Sequence, residues 1–223
     1  MVTLILVRHG FSEANKTNSF AGQTDVPLCD LGFKQAELVS NYIIEKYKPD
    51  AIYSSPMSRS IDTVKKIAEI LSIPLIIEQD LIEIHGGDWE GMKWADMEKL
   101  YPDYYAAWSE RKGVLRCPNG ESMEDAGKRA LKALRKICLE NDGKTLVIAS
   151  HGGVIRTLQC ILSGIPLEKF NEVPWTPNAC ISIVEYDNGK FTPKVFGITE
   201  HLKDLLTNQP IIITTGIKKY KQK

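Results

Sequence analysis

The chain alternates short apolar runs with amphipathic stretches over most of its length. The apolar runs typical of strands are Val2–Val7, Ala51–Ser54, Leu75–Ile77 and a run from about Leu146 that ends at His151. Helical periodicity follows them at residues 30–47, about 58–71, 122–140 and about 153–163. Strands that alternate with helices predict βαβ units and a mostly parallel sheet. Because the strand residues are apolar at consecutive positions, we expect both faces of that sheet to be buried.

The end of the chain follows a different pattern. Ile181–Tyr186 and Lys194–Ile198 are predicted to form a final pair of strands, with the turn at residues 187–189. Asp30 and Ser122 are predicted to be the N-caps of the helices that they begin. The sequence contains no internal repeat and no low-complexity segment.

Residues 83–120 interrupt the alternation of strands and helices, with helical patches near 93–100 and 103–111. The segment is rich in large aromatic side chains, namely Trp89, Trp94, Tyr101, Tyr104, Tyr105 and Trp108. We expect residues 1–223 to form one domain, in which residues 83–120 are a cap-like excursion over the functional site. These aromatic side chains would either pack within the cap, which is their ordinary role, or form a pocket wall for an apolar or planar leaving group.

The charge balance restricts the classes of partner. The 28 basic and 28 acidic residues cancel, which gives no indication of nucleic acid or an anionic membrane as a partner. The exception is the basic stretch Lys218–Lys223, which we expect to be a solvated end. The apolar run at the N-terminus has no basic region before it and is too short for a signal peptide or a membrane span. We therefore expect a cytoplasmic protein.

The cysteines are odd in number and far apart in the sequence. They are Cys29, Cys117, Cys138, Cys160 and Cys180. No CxxC or Cys/His spacing typical of a metal site occurs, and several lie in apolar stretches. We expect reduced, buried thiols and no structural zinc.

Two predicted strands end in the same dipeptide. His9-Gly10 follows the first strand and His151-Gly152 follows the fourth, and Arg8 precedes the first histidine. In an open α/β sheet, functional groups gather beyond the carboxyl ends of the strands. The two imidazoles are therefore expected to be neighbours in space.

Two further residues join this predicted edge. Arg59 lies in the first turn of the helix after the second strand, and Asn15 lies in the loop after the first. A guanidinium group can hold two phosphate oxygens, and a helix N-terminus attracts anions. With His9 and His151, these groups suit transfer of a phosphoryl group, which needs positive charge and a nucleophile. We expect no metal and no cofactor, because the arginines and the second imidazole supply the charge.

Each of these residues has an ordinary structural interpretation when it is taken alone. A histidine at a strand end is more often structural, and an arginine in a first turn is usually at the surface. Glu83 alone would be a solvated acid in a loop. The functional interpretation depends on their common position at one edge of the sheet.

Five segments, in order, carry a family resemblance: Leu6–Asn15, Gly22–Leu28, Tyr53–Ser60, Leu81–Gly91 and Ser150–Gly153. Together they resemble the signature of the histidine phosphatase superfamily, the phosphoglycerate mutase-like proteins. The resemblance covers nearly the whole chain. It implies a three-layer α/β/α sandwich with a mostly parallel central sheet and an active site at the carboxyl ends of the strands.

The resemblance also implies roles for individual residues. His9 would be the nucleophile that becomes phosphohistidine, and Glu83 would protonate the leaving oxygen and then activate water. Arg8, Arg59 and His151 would hold the phosphoryl group and its transition state. The substrate-binding residues implied are Arg8, Asn15, Ala21, Gly22, Gln23, Arg59 and Gly152.

Two positions depart from the family pattern. Ala21 stands where relatives often have a polar side chain, so that its phosphate contact is either missing or made by backbone N–H groups. His85 stands where many relatives have an acidic residue. It would either reach a second anionic group of the substrate or cover the pocket.

The family contains both phosphatases and mutases. Mutases resemble one another in a Tyr-Gly pair after the acidic residue and in a later basic, proline-rich insertion. Here Ile84–Gly87 follow Glu83, and the short excursion closes with Pro118–Ser122, which resembles the phosphatase branch. We expect hydrolysis of small phosphomonoesters through phosphohistidine. Mutase activity is the alternative, and a non-catalytic phosphate-binding module is a third. The identity of the substrate stays open, as does the choice between monomer and homodimer.

Overall fold

A seven-stranded mixed sheet runs through the computed structural model, which describes residues 1–207 and the backbone of residues 214–215. The strands are β1 (Val2–Arg8), β2 (Ala51–Ser54), β3 (Leu75–Ile77), β4 (Thr145–Ser150), β5 (Ile181–Asp187), β6 (Lys190–Ile198) and β7 (Thr214–Thr215). Their order across the sheet is β3-β2-β4-β1-β5-β6-β7. The prediction for Lys218–Lys223 lies outside the described residues.

The first four strands are parallel to one another, and β5 runs antiparallel to β1. In the register of β1 against β4, Arg8 lies opposite Ser150. His9 and His151 follow these two residues, so both histidines leave the sheet at the same edge. The predicted common edge is confirmed.

Helices cover both faces of the sheet. They are α1 (Glu13–Lys16), α2 (Asp30–Lys46), α3 (Ser58–Leu71), α4 (Trp94–Leu100), α5 (Pro102–Glu110), α6 (Met123–Leu139) and α7 (Gly152–Leu162). Along β1, Ile5 and Val7 pack in the apolar cluster that includes residues of α2 and α3. Leu4 and Leu6 pack in the cluster that includes residues of α6 and α7. All four side chains are at most 1% exposed, which confirms a sheet buried on both faces within a three-layer α/β/α sandwich.

The two predicted N-caps have different outcomes. Ser122 caps α6, where its hydroxyl accepts from the N–H of Asp125 and its own N–H donates to that carboxylate. Asp30 is not a cap but the first residue of α2, and Cys29 has the extended backbone of an N-cap. The Cys29 N–H donates to the carbonyl of Phe11, which holds that conformation. Asp30 instead places a negative charge in the first turn of the helix.

β5 and β6 form the predicted hairpin, but they are not the final strands, since β7 follows them, and β6 begins at Lys190 rather than Lys194. Asn188 and Gly189 both have positive φ, of 48° and 81°, as a tight two-residue hairpin turn requires. Pro193 lies within β6, just before the predicted start of the strand. It pairs with Val184 beside a register shift, where the ladder is already irregular.

The segment of residues 83–120 packs on the layer formed by α6 and α7. Trp89 and Trp108 are at most 1% exposed and belong to the same apolar cluster as Leu4. Their rings meet edge to face, with the ring centres 5.0 Å apart.

All five cysteines are free and buried, as predicted. Within the described part of the chain, no helix has both the length and the apolar character needed to cross a bilayer.

Candidate active site

His9 follows the end of β1 and is held in one tautomer. Its Nδ1–H donates to the carbonyl oxygen of Gly10 at 2.7 Å, which leaves the lone pair on Nε2 free. The ring is only 6% exposed. Burial lowers the pKa of His9 well below 6.5, and the positive charges of Arg59 and Arg8 lower it further. At neutral pH this imidazole is therefore an uncharged base with an accessible nucleophilic nitrogen.

Arg8 is the last residue of β1 and is 4% exposed. Its Nη1 donates to the carbonyl oxygen of Thr176 at 2.6 Å, and its guanidinium carbon lies 5.0 Å from the ring centre of Trp175. Burial lowers the pKa of Arg8 to about 10, so the group keeps its charge at neutral pH. Its buried Nε has no partner in the part of the chain that the structure describes.

Arg59 lies in the first turn of α3 and is fixed by a loop from the other side of the site. Its Nη1 donates to the carbonyl oxygen of Thr24 at 2.9 Å, and its Nη2 donates to that of Gly22 at 2.7 Å. Glu90 in turn holds this loop, because its carboxylate accepts from the N–H groups of Gln23 and Thr24, both at 2.9 Å. The orientation of Arg59 therefore depends on Glu90.

The ring of His151 lies next to that of His9, and the ring centres are 5.3 Å apart. Its Nε2 is hydrogen-bonded to the hydroxyl of Ser55 at 2.7 Å, and burial, Arg59 and His9 lower its pKa well below 6.5. Among the described residues, its buried Nδ1 has no partner, and neither has Nε of Arg8 or of Arg59. Buried polar atoms are normally satisfied, so these nitrogens indicate a site built for an anionic ligand.

The carboxylate of Glu83 lies at the beginning of α7. Its oxygens accept from the backbone N–H groups of Ile84 and Gly153, both at 3.0 Å, and of Val154 at 3.2 Å. A Cβ on Gly153 would lie 2.7 Å from Oε1 of Glu83, closer than side-chain atoms pack. The second glycine after His151 is therefore what admits the carboxylate to this position.

Asn15 lies in α1, close to the loop that carries His9. Its Oδ1 accepts from the N–H of Ser12 and from Nδ2 of Asn178, both at 3.1 Å. Asn178 also donates to the carbonyl oxygens of His9 at 3.1 Å and of Gly10 at 3.2 Å. Asn178 thus ties the nucleophile loop to Asn15.

One cavity of about 660 Å³ joins most of the residues expected at the site. The expected residues that line it are Arg8, His9, Asn15, Ala21, Gly22, Arg59, Glu83 and Gly152. His151 is fully buried next to His9 and is not among the residues that line the cavity. Gln23 lies beside the cavity rather than in its wall, and its side chain donates to the carbonyl oxygen of Glu83 at 3.0 Å. His85 is exposed and does not line the cavity.

Sequence reasoning missed several residues of this site. Asn178, Trp175 and Arg156 all line the cavity. Trp175 and Asn178 lie in the stretch between α7 and β5, which has no periodic pattern. Arg156 lies within α7, where a charge in an apolar helix suggests only a surface position. The clue for Arg156 was its spacing of four residues from Gly152, which places both on one face of the helix.

Comparison with known proteins agrees with this geometry. The sequence profile of the histidine phosphatase superfamily (branch 1) matches residues 4–199. Phosphoserine phosphatase 1 of Hydrogenobacter thermophilus is 33% identical over 205 residues, which cover 91% of this chain and 95% of that protein. The structure of YhfR from Bacillus stearothermophilus has a TM-score of 0.86 at 29% identity, over 91% of this chain and 100% of that one. A mutant phosphoserine phosphatase from Entamoeba histolytica, solved with phosphoserine, has a TM-score of 0.77 at 30% identity, with coverage of 91% and 100%. The family resemblance seen in the sequence is thus confirmed, and the chain belongs to the histidine phosphatase superfamily.

Proposed function

We propose that this chain is a phosphomonoester hydrolase that acts on small phosphorylated metabolites through a phosphohistidine at His9. The observation that carries the proposal is the free Nε2 of a neutral His9 beside Arg8 and Arg59. A nucleophile without a proton, next to two fixed cations, suits attack on a dianionic phosphate.

In the first step, Nε2 of His9 attacks phosphorus. An N–P bond forms while the P–O bond to the leaving alcohol breaks. Glu83 gives its proton to the leaving oxygen and becomes a carboxylate. Arg8, Arg59 and His151 hold the non-bridging oxygens, on which negative charge is spread in the transition state.

In the second step, water attacks the phosphorus of phosphohistidine. The Glu83 carboxylate takes a proton from that water, the N–P bond breaks and inorganic phosphate leaves. Nε2 of His9 regains its lone pair and Glu83 regains its proton, so that the enzyme returns to its first state. The same carboxyl group therefore serves as acid and then as base.

Hydrolysis, rather than return of the phosphoryl group to the substrate as in a mutase, is supported by two observations. Two of the three relatives described above are named phosphoserine phosphatases. The residues after Glu83 also differ from the Tyr-Gly pattern of the mutases. A non-catalytic module is disfavoured, because none of the five expected catalytic side chains is missing.

The segment of residues 83–120 serves as a cap of the same domain in this proposal. Trp94, Trp108 and Lys112 of this segment line the cavity that holds His9. A cap in that position shapes the space for the leaving group and limits the access of water. The five free cysteines also support a reducing compartment such as the cytoplasm.

Trapping the intermediate tests the proposal. The protein is mixed briefly with a ³²P-labelled phosphomonoester and quenched in alkali, in which phosphohistidine survives. We expect the label on His9, and neither label nor turnover in His9→Ala. A His85→Ala variant, which removes an exposed imidazole outside the cavity, should label like the wild type. Label on a serine, or full activity in His9→Ala, would show that the proposal is wrong.

A further inference from the structure

Two additional cations line the cavity beside those assigned to the phosphoryl group. Lys112 lies just after α5 in the segment of residues 83–120, and Arg156 lies within α7. Arg156 follows Gly152 by four residues, so the two lie on the same face of the helix. The mechanism described above uses neither charge.

Among residues 1–207, neither cation has an anionic partner. Nε and Nη2 of Arg156 donate to the carbonyl oxygen of Val173 at 2.9 and 2.6 Å, and Nη2 also donates to that of Asn171 at 3.3 Å. Nη1 of Arg156 and the ammonium group of Lys112 make no hydrogen bond or ion pair with any residue among 1–207. Residues 208–223 contain no Asp or Glu that could serve as a counter-ion.

The carboxylates that line the cavity are Glu83 and Asp204. Glu83 is bound to backbone N–H groups at the start of α7, and Asp204 forms no ion pair with Lys112 or Arg156. Some basic side chains elsewhere are paired with carboxylates, for example Arg129 with Glu121 at 3.0 Å. Lys112 and Arg156 differ from the unpaired lysines of the exposed surface, because both line the cavity.

Aromatic rings hold the two cations in place. The ammonium group of Lys112 lies 5.1 Å from the ring centre of Trp108, and the guanidinium carbon of Arg156 lies 4.3 Å from that of Phe170. Burial lowers the pKa of Lys112, and the positive charge of Arg156 lowers it further. Two like charges kept together in a partly apolar wall are unfavourable unless a bound anion compensates them.

Their position relative to the phosphate site suits a small leaving group. The guanidinium carbon of Arg8 lies 5.0 Å from the ring centre of Trp175, and that of Arg156 lies 5.4 Å from the same centre. Both guanidinium groups therefore lie against one indole, and the separation of their carbons cannot exceed the sum of these two distances. A leaving group of a few carbon atoms spans such a distance.

We propose that Lys112 and Arg156 form a second anion subsite, which binds a carboxylate on the leaving group of the substrate. The ammonium group and the free guanidinium nitrogen offer one donor group for each carboxylate oxygen. This inference rests on the proposed phosphatase function and narrows its substrates to phosphomonoesters of hydroxy acids. Esters of neutral alcohols lack the group that this subsite binds.

A matched pair of substrates tests the subsite. 3-Phosphoglycerate and glycerol 3-phosphate carry phosphate on the same kind of primary alcohol, and the carboxylate of the first is a hydroxymethyl group in the second. We expect kcat/KM of the wild type to be higher for 3-phosphoglycerate. Lys112→Met should lower this preference by about tenfold or more, because a charge-assisted hydrogen bond is lost. Lys112→Arg, which retains the charge, should keep most of it.

Lys132→Met serves as the control, since Lys132 is an exposed lysine of α6 that does not line the cavity. It should leave the preference unchanged. If Lys112→Met lowers kcat/KM equally for both substrates, or if the wild type shows no preference, the subsite is wrong. His9 would still become labelled in that case, so the phosphatase proposal would stand. Absence of label on His9 would overturn both.

Discussion

Gly153 donates its backbone N–H to Oε2 of Glu83 at 3.0 Å, and a Cβ on the same glycine would lie 2.7 Å from Oε1. Gly153→Ala should therefore displace the carboxylate while α7 itself, which favours alanine, stays folded. We expect kcat/KM for an alkyl phosphate to fall by roughly 10- to 100-fold, up to the lower limit of the roughly 100- to 10,000-fold that general acid catalysis contributes, because the carboxyl group is displaced rather than removed.

Steady-state kinetics and urea unfolding of the same variant check this prediction. A large loss of activity with little loss of stability fits displacement of Glu83. Unchanged activity would mean that Glu83 moves without consequence and that its observed position is not the one used in catalysis.

The role of Glu83 as the proton donor predicts a dependence on the leaving group. Alkoxides need a proton to leave, whereas p-nitrophenolate leaves unaided. Glu83→Gln should lower kcat/KM for an alkyl phosphate by roughly 100-fold and that for p-nitrophenyl phosphate far less. kcat/KM is the appropriate quantity, because it excludes the later step in which water attacks phosphohistidine.

Glu13→Gln is the matched control, since Glu13 lies in α1 and does not line the cavity. It should affect neither substrate. Equal losses for both substrates in Glu83→Gln would assign Glu83 to binding or structure and leave the proton donor to another acid.

Catalysis should not depend on a divalent metal. Arg8 and Arg59 already place two cations at the site, and no group of three or more His, Cys, Asp or Glu among residues 1–207 could hold a metal ion. Activity should survive EDTA, and vanadate should inhibit because it imitates the five-coordinate phosphoryl group. Loss of activity on chelation, with recovery on addition of one divalent ion, would contradict this expectation.

Three buried histidines should make stability depend on pH. Burial lowers the pKa of His9, His151 and His201 below the unfolded value of about 6.5. As the pH falls below that value, the unfolded chain takes up protons that the folded chain excludes. Above pH 6.5 these histidines therefore do not reduce the free energy of unfolding. Below that pH the free energy of unfolding falls by up to about 1.4 kcal/mol per histidine and pH unit.

Urea unfolding at pH 7.5 and pH 5.5 measures this loss. His201→Gln removes one of the three imidazoles and should make the dependence shallower. His85→Gln, which alters an exposed imidazole, is the control. Equal free energies of unfolding at both pH values would contradict the prediction.

The sequence was sufficient to predict the part of the site that depends on local pattern. His9 and His151 follow apolar strands, and the parallel arrangement of those strands follows from the helices between them. Arg59 was predicted at the same edge by the same reasoning, because it lies in the first turn of the helix that follows the second strand. These predictions needed only the alternation of elements and the rule that functional groups gather at the strand ends.

The remaining part depends on contacts between distant segments. The N–H of Ala179 donates to the carbonyl oxygen of Arg8 at 3.1 Å, and this contact brings the loop with Trp175 and Asn178 over the site. No periodicity in that loop indicates its path. The choice of Cys29 over Asp30 as N-cap likewise depends on a hydrogen bond to Phe11 from outside the helix.

The segment of residues 83–120 has two parts, before and after Glu90, that differ in how far their sequence can change without affecting the phosphate site. The carboxylate of Glu90 joins the N–H of Gly86 to the loop that orients Arg59, so residues 86–90 belong to the machinery that grips phosphate. In the part from Trp94 to Lys112, three side chains line the cavity, namely Trp94, Trp108 and Lys112, and none of its residues hydrogen-bonds to Arg8, His9, Arg59 or Glu83. New substrates can therefore be acquired by exchange of that second part, while the chemistry at phosphorus is preserved by the first.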